Sequence, residues 1–156
     1  MDHSELLKRI APCSLMCHTC GVYKNGVICK AADQLFHAMD GVAEFYAKHD
    51  PAQAASFRVF HETLKNYGSG PCSGCRDSEH NGCSIDGCFI LACTRAHGVE
   101  FCGECSEFPC SKTSALFEDE VYRQWLSGNQ AIQQSGVEAF WENNREKPHY
   151  QAYKRP

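Results

Sequence analysis

Nothing in the sequence approaches the roughly 18 consecutive apolar residues of a membrane span. The N-terminus, MDHSELLKRIAPC, lacks the apolar core and small-residue cleavage site of a secretory leader. Basic runs are also missing. Lys24, Lys30, Arg95 and Lys112 are scattered, and the net charge is −4 with the histidines neutral, which argues against bulk affinity for a phosphate backbone. No strand longer than a few residues is convincing, and there is no tandem repeat or low-complexity segment. A Ser-His-Asp order, a phosphate loop and a His-Glu-x-x-His motif are absent, so no residue is singled out as catalytic. These absences leave a cytoplasmic, mainly α protein with no membrane segment, for which nucleic acid is an unfavoured partner.

Two blocks, 31–67 and 111–156, contain no cysteine and must fold by packing. A chain of 156 residues can bury about 68–70% of its unfolded surface, so it needs no metal merely for being small. The organisation expected is one domain. A cysteine-rich metal lobe (10–30 and 71–110) is set beside helical parts (31–67 and 111–147).

Apolar residues recur at three- and four-residue steps in the helical parts. Ser4 caps a short helix over 4–10. A helix over 31–48 turns Leu35, Phe36, Met39, Val42, Phe45 and Tyr46 inward. Asp50 as N-cap and Pro51 as first residue restart the chain into a helix to about Tyr67, with Ala55, Val59, Phe60 and Leu64 inward. The two form a helical hairpin. Cys88 to Gly98 reads as a helix closed by its glycine, with Phe89 and Leu91 between sulfur sites. A helix over about 112–126 is broken by Ser127, Gly128 and Asn129, and shorter helices follow near 130–134 and 136–145. His149, Tyr150 and Tyr153 give the tail groups that can dock on the body.

What the chain has in abundance is cysteine, twelve residues of it. An even count near this fraction also fits a disulfide scaffold, but in a reducing compartment clustered cysteines more often bind metal. Eight lie between 71 and 110: Cys72, Cys75, Cys83, Cys88, Cys93, Cys102, Cys105 and Cys110. Cys72 with Cys75, and Cys102 with Cys105, have the Cys-x-x-Cys spacing, in which a tight turn aims two sulfurs at one ion. The distance between these knuckles is longer than in a zinc ribbon. The other four are Cys13, Cys17, Cys20 and Cys29, which could close one tetrahedral site. Cys13, Cys17 and Cys20 also reproduce the spacing of radical enzymes that use S-adenosylmethionine, but this chain lacks the strands and length of those barrels.

Metal binding makes the charge still more negative, about −10 for twelve thiolates and three divalent ions. All twelve cysteines are metal-ligand candidates, for two or three Zn²⁺ ions or, alternatively, for iron–sulfur clusters. The compact ferredoxin run is absent, which favours zinc. Which cysteines of the 71–110 stretch share an ion is open. His18, His80 and His97 are secondary candidates, and Glu104 and Glu107 flank the last knuckle. The function expected is a structural zinc protein that binds a partner protein, with an iron–sulfur or thiol redox carrier as the alternative.

Cys-x3-Cys-x2-Cys near the start, then Cys-x-Gly-Cys, Cys-x4-Cys and Gly-Val-Glu-Phe-Cys-Gly-Glu-Cys-x-Glu-Phe-Pro-Cys together resemble a cysteine-rich bacterial and archaeal family. That family is catalogued as a domain of unknown function and presumed to bind zinc. The resemblance spans about residues 10–145 and is most specific over 102–110, including Phe108 and Pro109. It implies a metal-binding fold and no known reaction. Ser14 departs from it, because the family usually has glycine after the first cysteine.

Overall fold

The computed structural model describes residues 1–77 and 85–154. The protein is mainly helical, with six α-helices and short 3₁₀ turns among the described residues. The only β pairings there are isolated bridges, Ile10 with Met16 and Tyr23 with Cys72. No helix among the described residues is long and apolar enough to cross a membrane.

Helix α1 is His3–Arg9, and its cap is Asp2 rather than Ser4. The Asp2 carboxylate accepts the Glu5 N–H at 2.8 Å, and the Ser4 hydroxyl donates to the same oxygen. A carboxylate serves the positive end of a helix better than a hydroxyl can.

The expected helix over 31–48 is two helices, α2 (Val27–Ala38) and α3 (Val42–His49), separated at Gly41, whose φ is 80°. Helix α4 (Pro51–Gly68) begins as expected, with Asp50 accepting the Gln53 N–H at 3.2 Å and Pro51 in the first turn. It packs along both α2 and α3. The inward face differs from the periodicity reading. Ala54, Phe57 and Leu64 are buried, whereas Val59 is 70% exposed, and Phe60, Leu35 and Phe45 are exposed too. Apolar residues occur on both sides of these helices, so spacing alone did not identify the covered side.

Helix α5 (Ile90–Ala96) is closed at Gly98, as expected. Helix α6 (Asp119–Asn144) is preceded by a 3₁₀ turn at Ser111–Ala115 and so starts later than expected. It runs unbroken through 127–129 and kinks instead at Gly136, at φ 81° and ψ 165°. Only glycine adopts that backbone readily.

The 127–129 segment is helical because tertiary bonds override its weak propensity. Asn129 is fully buried. Its amide nitrogen donates to the carbonyls of Trp125 (2.8 Å) and Cys13 (3.2 Å) and to Ser14 Oγ (3.1 Å), and its oxygen accepts the Gly103 N–H (2.8 Å). Helix α6 contributes side chains to two apolar clusters. Leu6, Ile10, Phe101, Phe140 and Trp141 are in one, and Ala11, Cys13, Ile90, Phe117 and Trp125 in the other.

Ser14 keeps the left-handed backbone that glycine would supply, at φ 65°. Its hydroxyl, bonded by Asn129 and donating to the Trp125 carbonyl at 3.4 Å, helps to hold that conformation.

The tail docks on the first cysteine loop. Gly21 N–H donates to the Tyr150 hydroxyl at 3.2 Å, and His149 Nδ1 donates to the Met16 carbonyl at 2.9 Å. Burial, opposed by that hydrogen bond, holds the His149 imidazole below its usual pKa. A depressed folded value means the stabilisation is complete above the unfolded pKa of about 6.5 and is lost as pH falls through the folded value. Melting temperature measured from pH 7.5 down to 5 should therefore fall more steeply in the parent than in His149→Gln at equal metal content. Parallel curves would refute this.

Candidate metal centre

A Cys-x-x-Cys segment needs a turn that brings its first and fourth side chains to the same side. Two segments form nearly the same turn. Cys17–Thr19 is a 3₁₀ turn whose closing residue, Cys20, has φ −75° and ψ 137°, and the Cys20 N–H donates to the Cys17 carbonyl at 2.9 Å. Cys102–Glu104 is the other, closed by Cys105 at φ −74° and ψ 138°, with the equivalent bond at 3.1 Å. The sequence reading paired Cys17 with Cys20 only as members of a larger cluster, so the likeness of the two turns is new. Cys72 and Cys75 are held differently, by backbone pairing of Cys72 with Val22 and Lys24 and a positive φ at Gly74.

The 102–105 turn is fixed on α6. Gly103 donates to Asn129, and its carbonyl accepts from the Gln133 side chain. A Cβ at Gly103 would lie 2.7 Å from the Asn129 carbonyl oxygen, so only glycine lets the turn approach this closely. The Glu104 carboxylate accepts the N–H groups of Glu100 (2.8 Å) and Phe101 (3.1 Å), which gives it a structural task.

This docking brings four cysteines together. Cys93 from α5, Cys102 and Cys105 from the turn, and Cys110 line one cavity of about 20 Å³, closed by Phe89, Phe108 and Trp125. That volume is about the space of a single water or ion. Burial raises the Cys102 pKa to about 11, with the neighbouring Cys110, Cys93 and Cys105 adding to it and the Trp125 side chain opposing it. Exposed His97 and Glu107 stand at the same cavity.

A second set lies across α5. Cys13, Cys75 and Cys88 line another cavity with Leu91 and Arg95. Burial pushes the Cys13 thiol well up, opposed by a hydrogen bond from the Leu15 backbone, while Cys75, Cys17 and Cys88 add repulsion. Cys17 is raised by burial and by Cys75, Cys20 and Cys72. Cys88 and Cys93 therefore belong to different sets; Phe89 lines one cavity and Leu91 the other, and Ile90 lines both.

The charges acting on Cys29 are those of Asp33 and Lys30, and its thiol donates to the Gly68 carbonyl at 3.2 Å. It stands at the turn leading to Cys72 rather than among the charges that bear on Cys13 and Cys17. Cys83 and His80 lie outside the described residues. His18 faces the Arg9 guanidinium at 3.2 Å and packs against Trp141.

Arg76 was not anticipated. Its guanidinium donates to the carbonyls of Leu7 (2.9 Å) and Ile10 (2.6 Å) and to that of Glu100, and it stacks over Phe101. It is a partly buried permanent cation close enough to Cys17, Cys75 and Cys13 to feel their charge. The sequence showed only an arginine next to Cys75, and neither Asn129 nor Trp125 carried a signal.

Among the described residues no group of three or more His, Cys, Asp or Glu side chains is placed so that it could hold a metal ion. The donor chemistry nevertheless fits a thiophilic ion. Four thiols share one ion-sized cavity, and beside them the buried Trp125 N–H has no hydrogen-bond partner. Such a set suits tetrahedral zinc or iron–sulfur ligation.

Residues 9–115 match the family described as Protein of unknown function (DUF3795). No curated protein and no solved structure matches the chain.

Proposed function

This chain belongs to the DUF3795 family of proteins of unknown function, and from that premise we propose that it is a cytoplasmic zinc protein whose thiolates hold structural ions and whose surface serves a protein partner. The observation that carries this reading is the convergence of Cys93, Cys102, Cys105 and Cys110 on one small cavity. They would hold one ion, and four thiolates leave no open position for a substrate. Cys13, Cys17, Cys75 and Cys88, with Cys20 and Cys72 alongside, would hold a second. Arg76 supports this, since two Cys₄ zinc sites each carry excess negative charge and one meets a partly buried cation. The ions would supply cross-links and no redox chemistry.

Elemental analysis of purified protein tests it. Zinc at two or three ions per chain in a colourless solution is expected. Brown protein containing iron and acid-labile sulfide would replace this reading with an iron–sulfur carrier.

Strong chelation under reducing conditions should unfold the cysteine-rich lobe, because binding energy at such sites is folding energy. The α2–α4 unit should stay partly helical, since its packing is internal. Circular dichroism with and without chelator reads both. Unchanged thermal stability in metal-free protein would contradict structural zinc.

A further inference from the structure

Trp125 is fully buried, lines the four-cysteine cavity, and has an indole N–H with no hydrogen-bond partner. A buried N–H with no acceptor is costly. The Cys102 thiol lines the same cavity, and the Trp125 side chain is among the groups that act on it. The ring has little freedom to turn elsewhere, since Phe108 meets it edge-on at 4.9 Å, Tyr122 lies at 5.3 Å and Phe117 at 6.3 Å.

We propose that Trp125 is a positioning residue for the metal centre: its indole N–H donates to the Cys102 thiolate, fixing that ligand's orientation and damping its reactivity. The inference rests on the tetrathiolate reading above. A sulfur that accepts a hydrogen bond has less electron density to give, both to the ion and to an attacking electrophile. Outer donors of this kind orient ligands and tune metals generally. Trp125 Nε1 is suited to the task because indole donates and does not accept. The donor would leave Cys105 and Cys110 more reactive than Cys102 on the same ion.

The test uses full-length protein carrying Co²⁺ in place of zinc, with Trp125→Phe compared with the parent. A second variant replaces Trp125 with β-(3-benzothienyl)alanine, which keeps the bicyclic shape and lacks the N–H, in case the smaller phenyl ring disturbs folding. Both should bind cobalt with the parent stoichiometry. Their thiolate-to-cobalt charge-transfer band should move to longer wavelength, and alkylation of Cys102 in the zinc-loaded variants should quicken about fivefold. A purely packing role would leave band and alkylation rate unchanged in the benzothienyl variant, and that result overturns the inference alone. Failure of the parent to bind cobalt or zinc at this cavity overturns the tetrathiolate reading, and this inference with it.

Discussion

Cys105→Ser or Cys102→Ser should lower bound metal by about one ion per chain and give poorly soluble protein, whereas His97→Ala should keep every ion. Serine hydroxyl is a weak zinc ligand at neutral pH, and the substitution leaves three thiolates around a loosened cation. Structural zinc contributes on the order of 10–16 kcal/mol in finger peptides. Losing even a fifth of that matters against a domain stability of about 5–15 kcal/mol. His97 stands at the same cavity but is exposed, and under the proposed function the four cysteines there would suffice for the coordination. Metal stoichiometry and melting temperature of the three variants, measured together, decide the point. Loss of an ion in His97→Ala with retention in Cys105→Ser would make the site mixed-ligand.

Asn129→Leu is expected to be comparably damaging without touching a ligand. It removes an amide whose two N–H hydrogens are shared among three acceptors and whose oxygen accepts one bond, all buried, and strands the Gly103 N–H and the Cys13 carbonyl. Each stranded group costs about 1–3 kcal/mol, so a total of roughly 3 kcal/mol or more is expected. That is a fall in melting temperature of about 6–12 °C for a chain of this size. Metal affinity should drop as well, since Asn129 joins the loop after Cys13 to the turn holding Cys102 and Cys105. Asn129→Asp keeps the shape but turns acceptor towards acceptors, and should be no milder. Thermal melts of both variants at saturating zinc provide the measurement, and a shift within 2 °C of the parent would remove Asn129 from this role.

Features set by neighbours in the chain were legible in the sequence. Asp50 followed by Pro51 started α4, Gly98 closed α5, and the 102–105 spacing gave its turn. Features set by distant partners were not. Ser127, Gly128 and Asn129 look like a helix stop because each is a poor helix former, yet Asn129 spends its amide on Cys13 and Gly103 rather than on breaking the helix. Gly136, which does interrupt the helix, has no stronger local signature than Gly128. The grouping of sulfurs was hidden for the same reason. Cys29 is close in sequence to Cys20 but stands against the 68–70 turn, and Cys13 reaches Cys75 and Cys88 across the fold. Only the knuckle partners, which share one turn, could be matched from spacing.

Helix α5 is seven residues long. Helices shorter than about 12–15 residues are marginal by themselves in water. It is clamped from two sides, with Cys88 at its approach facing one set of sulfurs and Cys93 within it facing the other. It is a party wall: neither room can be rebuilt without shifting the plaster in the next. Under the proposed function, filling or emptying one sulfur set would change the stiffness of the other, although the two share no cysteine among the described residues.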